Sequence, residues 1–195
     1  MACRKKEKDH SIKLWSHNEK KKSIHPKSIL TELLTPSKFT SAACQWGKDN
    51  ENVSLSQYEL LKNDTVTACG LVVNPSWPWL GCSPDGLVDD RTKEVKCPYT
   101  YKDSDILAAC QDKNFFMELQ DGVAKLKRKH NYYYQCQVVM AITETTMIDF
   151  VVYMKDSIFV ETINFDAVMW NTIMLPELSK LYFDFLADKI FEYNK

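Results

Sequence analysis

The sequence predicts an α/β domain with a mixed central β-sheet flanked by helices. Three observations carry that expectation. Hydrophobic periodicity switches along the chain from helical to strand-like, to helical, to strand-like and back to helical. The strand-like runs are short, rich in β-branched and aromatic residues, and closed by turn residues. The 195 residues carry 45% hydrophobic and 26% charged side chains, an ordinary balance for one domain with its own core.

Residues 1–27 read as a polar arm, crowded by Arg4, Lys5, Lys6, Lys8, Lys20, Lys21 and Lys22. Such a segment is either a solvated, poorly ordered lead or a contributor to polyanion binding. The folded domain is expected over 28–195. It starts with "KSILTELL", an amphipathic helix stopping near Pro36. "SAACQWGKDNENVSLSQYELLKN" is a longer helix, capped by Ser41, with Trp46, Val53 and Tyr58 at helical spacing. "VTACGLVVN" reads as a strand closed by Asn74-Pro75. "PDGLVDD" and "KEVKC" read as two strands joined by a turn over Asp89, Asp90, Arg91 and Thr92. "SDILAACQ" is a helical piece of a loop. "FFMEL" and "GVAKLK" flank Gln120-Asp121 as a hairpin, with Gly122 just past the turn. "NYYYQCQVVMAIT" is apolar nearly all round apart from Gln135 and Gln137, the pattern of a buried helix. "TMIDFVVYM" and "IFVETINF" are two more strands, turning at Lys155-Asp156-Ser157. From Asp166 the pattern is helical, with an interruption near Pro176.

Several function classes find no support. The seven cysteines are scattered without a C-x-x-C pair, and His10, His17, His25 and His130 do not fall at zinc spacing. No apolar run is long enough to cross a bilayer, and no secretory signal pattern is present. Free thiols fit a reducing intracellular compartment, the nucleus if the source is eukaryotic. Net charge is -1, so the chain as a whole is not a polycation. A local basic cluster, "KLKRKH", places Lys125, Lys127, Arg128 and His130 ahead of the buried helix, where they are expected to track a phosphate backbone.

The chemistry concentrates between Pro84 and Lys96. Side chains alternate along a strand, so Glu94 and Lys96 share one face while Val95 and Cys97 point to the other. Asp85 lies on the preceding strand of a tight hairpin, where it can come beside Glu94. Pro84 and Gly86 bracket Asp85 and fix a bent backbone at the acid. Two clustered carboxylates repel each other unless a cation intervenes. A hard divalent ion, Mg2+ with Mn2+ as the alternative, takes carboxylates, waters and substrate phosphate, and the Val95 carbonyl can add an oxygen. A lysine beside such a site can orient or help deprotonate a metal-bound water, or offset charge in the transition state. The competing reading of any lone E-x-K is a solvated Glu–Lys pair on the wet face of a hairpin.

"LGCSPDGLV", "EVKCPYT" and "YYYQCQVVMAIT" together resemble the YqaJ-like viral recombinases and the phage lambda-type exonucleases, within the PD-(D/E)xK, restriction-endonuclease-like superfamily. The resemblance runs from about Lys27 to the C-terminus. It implies a restriction-endonuclease-like core and a metal-dependent DNA exonuclease acting on linear duplex DNA in recombination. It casts Asp85 and Glu94 as metal-binding acids, Lys96 as the catalytic lysine and Gln135 as the active-site glutamine. "WGKDNE" resembles the helical motif that brings a further acid to the site, here Glu51; without the resemblance Glu51 reads as a surface charge on an amphipathic helix. Gly47 shares its face and leaves room beside it. The family further implies a homo-oligomer and a single-strand annealing protein as partners. An Arg/Thr-Ala-Ser element that usually precedes the first helix has no counterpart, so the chain is expected to lack its start. A DNA-binding protein with the fold but impaired turnover is therefore the alternative.

Overall fold

The structure, a computed structural model, describes residues 41–193. The basic arm and the "KSILTELL" helix lie outside the described residues. Helix α1 (Ala42–Lys62) begins where Ser41 Oγ accepts the Cys44 N–H at 3.1 Å. It ends at Asn63, whose positive φ of 54° lets its N–H return to the Glu59 carbonyl. The buried stripe of α1 is Ser54 and Tyr58. Val53, expected on that stripe, is exposed. Ser54 takes the sheet-facing position because it is small and satisfies its hydroxyl on the Glu51 carbonyl at 2.8 Å.

Strands β1 (Val72–Val73) and β2 (Gly81–Cys82) form a two-stranded ribbon. The expected strand over 66–74 is therefore mostly lost. Its first half makes a single bridge from Thr67 to Leu87, and its second half pairs elsewhere with β2. A run divided between two sheets cannot stay extended throughout. Strands β3 (Gly86–Val88) and β4 (Arg91–Lys96) form a hairpin turning on Asp89 and Asp90, with Asp89 at φ 49°. The turn is two residues shorter than expected, because Arg91 and Thr92 already pair with the next strand. Gly86 has no room for a side chain: a Cβ there would lie 2.2 Å from Val66 Cγ1.

After the short helix α2 (Ile106–Ala109), β5 (Met117–Gln120) and β6 (Val123–Leu126) form the expected hairpin. Asp121 and Gly122 both have positive φ, the geometry of a tight primed turn. Helix α3 (Asn131–Thr143) is buried from Tyr133 to Ile142, as its all-round apolar pattern requires. Strands β7 (Met147–Met154) and β8 (Ser157–Asn164) follow. The helical segment α4, 167–193, does not break at Pro176. A π-helical turn, Trp170–Met174, widens the helix just ahead of the proline and absorbs its missing N–H.

The central sheet has the order β3-β4-β7-β8, with β4 and β7 parallel and the other pairs antiparallel. Its α3 face carries the larger core, including Phe116, Met140, Phe150 and Trp170. Its α1 face carries a small core of Tyr58, Val88, Val95 and Val151. Among the described residues no helix is long and apolar enough to cross a membrane, and no disulfide joins the six described cysteines.

Candidate active site

The site forms on β4 because of where its neighbour stops. β3 pairs with β4 only as far as Gly86 opposite Lys93. Asp85, the next residue of the hairpin, takes over in place of a strand. Its N–H donates to the Lys93 carbonyl at 3.0 Å, and its Oδ2 accepts the Val95 N–H at 2.8 Å. A strand residue's N–H and C=O project toward the same neighbour. The Val95 carbonyl therefore faces the same open edge as Asp85.

On the α3 side of that edge, Gln135 Nε2 donates to Glu94 Oε1 at 2.6 Å. Lys96 Nζ donates to the same oxygen at 2.6 Å. Glu94 is 2% exposed and Lys96 17%. The Lys96 ammonium also lies 4.5 Å from the centroid of the Tyr132 ring. Burial works against the charge on Lys96, but Glu94, helped by Tyr132 and Asp85, outweighs it and holds the pKa above its ordinary value. Its ammonium is thus a charged donor to Glu94. Gln135 was open to the reading of an amide bonded to backbone; its amide is instead turned onto Glu94.

Glu51 approaches from α1. It lines a cleft of about 490 Å3 together with Lys48, Val95, Lys96, Tyr99 and Tyr132. It also lines a second recess, of about 550 Å3, with Glu59, Pro84 and Asp85. Glu51 thus stands on the ridge between Lys96 and Asp85. Gly47, one turn earlier, lines the first cleft, and a Cβ there would meet no atom within 4 Å. Cys97 sits beneath: burial, then the charges of Glu51 and Asp85, push its thiol pKa up to about 12.

The expected donors fit a divalent ion in kind. Asp85, Glu94, Glu51 and the Val95 carbonyl offer only oxygen, the donor of hard cations, and the nearby sulfur stays a neutral thiol. Among the described residues no three Asp, Glu, His or Cys side chains already stand together as a complete cage.

The expected phosphate track divides. Lys127 Nζ donates to the carbonyls of Lys113 and Phe115 at 2.8 and 2.6 Å. His130 caps α3, its Nδ1 accepting the Tyr132 N–H at 3.2 Å. Burial, then the charges of Lys127 and Lys96, lower its pKa. Lys125 lies 3.6 Å from Glu161. Arg128 is 75% exposed, 3.9 Å from Asp166, and Lys129 beside it is exposed. Two cleft residues escaped sequence reasoning. Lys48, three residues before Glu51, had a usable signal in that spacing; Tyr99, which sets its ring edge-on to Trp46 at 6.4 Å, had none.

Residues 1–146 match the model of the YqaJ-like viral recombinase domain. Among solved structures, the chain is similar to an alkaline exonuclease (LHK-Exo) from Laribacter hongkongensis, at 26% identity over 87% of this chain and 81% of that one, with a TM-score of 0.65. The same enzyme in complex with dAMP superposes with a TM-score of 0.69 at 23% identity, covering 95% and 90%. A phage related exonuclease from Haemophilus somnus 129PT gives 0.58 at 15%, covering 86% and 82%; the last two likenesses speak to fold alone. No curated protein sequence matches the chain. The family domain spans most of the chain and contains β3, β4 and α3, and the protein belongs to the YqaJ-like viral recombinase family.

Proposed function

We propose that the protein is a divalent-metal-dependent exonuclease that hydrolyses phosphodiester bonds of linear DNA in recombination. One observation carries the reading: Gln135 and Lys96 both bind Glu94 Oε1 at a sheet edge that Asp85 closes and Glu51 overhangs. The family, and the likeness to an alkaline exonuclease, support it. Asp85, Glu94, Glu51 and the Val95 carbonyl would hold Mg2+ or Mn2+. When bound, the ion supplies positive charge to a phosphoryl oxygen and makes water more acidic.

The chain's own residues do the rest. Gln135 orients Glu94. Lys96, held positive, offsets the negative charge that grows on phosphorus oxygens as water attacks. The attacking water gives up one proton as the new P–O bond forms, the bond to the leaving sugar oxygen breaks, and that oxygen takes up one proton, so that one water is consumed per bond cleaved. Tyr99 and Tyr132 line the cleft as faces on which a base can stack. Arg128 and Lys129 are the exposed cations that would follow the phosphates. An end-labelled linear duplex tests the reading. Nucleotides should be released with Mg2+ or Mn2+ and not with chelator. DNA bound but intact under all three conditions would sink it in favour of a binding protein.

A further inference from the structure

We propose that Tyr58 is a positioning residue, which through its hydrogen bond to Asp149 sets the height and rotation of α1 over the sheet and so places Glu51 against Asp85 and Lys96. The proposal rests on the nuclease reading above. Glu51 and Tyr58 are two helical turns apart and therefore on one face of α1. The Tyr58 hydroxyl donates to Asp149 Oδ2 at 2.6 Å, and both residues are fully buried. The same carboxylate receives the Thr162 hydroxyl on Oδ1 at 2.6 Å. It lies 3.2 Å from the buried Lys93 ammonium and 3.4 Å from Arg91. Arg91 also reaches Asp64, just beyond the end of α1, at 3.4 Å. Lys93 packs under the Tyr58 ring, 5.0 Å from its centroid, and immediately precedes Glu94. One carboxylate thus ties α1 and β8 to the strand that carries the site.

Stability alone does not account for this arrangement. Buried ion pairs are often no better than apolar side chains of the same volume. The apolar contact beneath α1 has only four buried side chains, three of them valines, with Leu55, Val66, Cys97, Ile158 and Val160 partly buried around them. Such a surface lets a helix slide or turn with little resistance. A directional bond does not. Misplacing a reacting group by about 1 Å can cost about a hundredfold in rate, so fixing α1 bears directly on Glu51.

Tyr58→Phe removes the hydroxyl and keeps the ring over Lys93. In the DNA digestion assay it should lower kcat about tenfold or more, with KM for DNA within about twofold. Mn2+ affinity, titrated without DNA, should weaken, and higher Mn2+ should restore part of the rate. Thr162→Val removes another bond to the same carboxylate, donated from β8 rather than from α1. It should lower the melting temperature but leave kcat within about twofold. In a Glu51→Gln background Tyr58→Phe should add no further loss, as coupled residues behave in a double-mutant cycle. Wild-type kcat and Mn2+ affinity in Tyr58→Phe overturn the proposal, as does an equal kcat loss in Thr162→Val. If Tyr58→Phe does not fold, Asp149→Asn decides. It keeps an acceptor for Tyr58 and should retain kcat at a lower melting temperature; a tenfold loss there overturns the proposal. A wild-type protein that releases nothing with Mg2+ or Mn2+ overturns the nuclease reading along with it.

Discussion

The two faces of the central sheet solve the same problem in opposite ways. Toward α3, β4 sends Thr92, Glu94 and Lys96 against a large apolar core, interrupted by Gln135 of the site and by Asn74 and Gln137, which bond to backbone. Toward α1, the same strand sends Arg91, Lys93 and Val95 against a small core, and charge binds the layers together. On the α3 face packing is abundant, and Glu94, Lys96 and Gln135 bond to one another. On the α1 face packing is scarce and the polar groups serve geometry. Burial lowers the Lys93 pKa although Asp149 opposes it. For Asp149, hydrogen bonds from Thr162 and Tyr58 and the Lys93 charge outweigh burial and hold its pKa down.

Substitutions can break this contrast, the largest effects coming on the α3 side. Asp85→Asn and Glu94→Gln each remove a charged oxygen and keep the shape. Cleavage should fall by several orders of magnitude while DNA binding persists in a filter or anisotropy assay. A retained rate in either would dissociate the acids from the chemistry. Lys96→Ala should lower kcat by about 10²- to 10³-fold, the usual cost of one charge-stabilising donor. Metal affinity by calorimetry should stay nearly constant, and Lys96→Arg should rescue poorly because a planar guanidinium sits differently.

On the α1 side the measurement is stability. Asp149→Ala leaves Lys93 buried without its carboxylate and should cost about 3–5 kcal/mol in denaturant unfolding. Replacing both, as Lys93→Met with Asp149→Leu, removes the unpaired charge and should recover part of that loss, short of neutral because the Tyr58 and Thr162 hydroxyls lose their acceptor. If the double variant is as unstable as the single one, the charges do more than position.

A smaller effect is set by pH. The folded pKa of His130 is below its unfolded value of 6.5. Between those values the unfolded chain binds the extra proton, so stability is full above about 6.5 and declines as pH falls through the window. His130→Asn keeps a cap for α3 and should flatten that part of the stability curve. Smallest of all, Gly47→Ala should raise stability by about 0.5–1 kcal/mol, since a helical glycine gains propensity and its methyl meets open space. The methyl also projects into the cleft, so KM for DNA should rise. An unchanged KM would place the strand elsewhere.

Legibility in the sequence followed how local each feature is. Helix α3, the Asp-Gly hairpin and the Pro-Asp…Glu-x-Lys arrangement depend on neighbours in the chain, and the structure holds Asp85, Glu94, Lys96 and Gln135 together. The strand over 66–74 failed because its two halves answer to different partners. Val53 misled because an apolar residue reads as a core residue when a serine actually faces the sheet. Lys93 and Asp149 gave no warning: a charge in a strand reads as solvated until its partner, more than fifty positions away, is known. The sequence placed Lys127 and His130 in a basic cluster but could not show their bonds, Lys127 to two carbonyls and His130 to the Tyr132 N–H.

The parallel pairing of β4 with β7 carries a consequence for the timing of folding. Parallel strands cannot be joined by a short turn, so β4 must wait for everything between Lys96 and Met147 before its second neighbour arrives. A chain still emerging from the ribosome at α3 already contains Glu51, Asp85, Glu94, Lys96 and Gln135. It has not yet made Asp149, and Lys93 has no carboxylate to meet. Strand β4 is thus held on one side only until the last quarter of the chain is synthesised. Until Asp149 is made, β4 lacks both its second neighbour and the carboxylate that Lys93 meets in the finished fold.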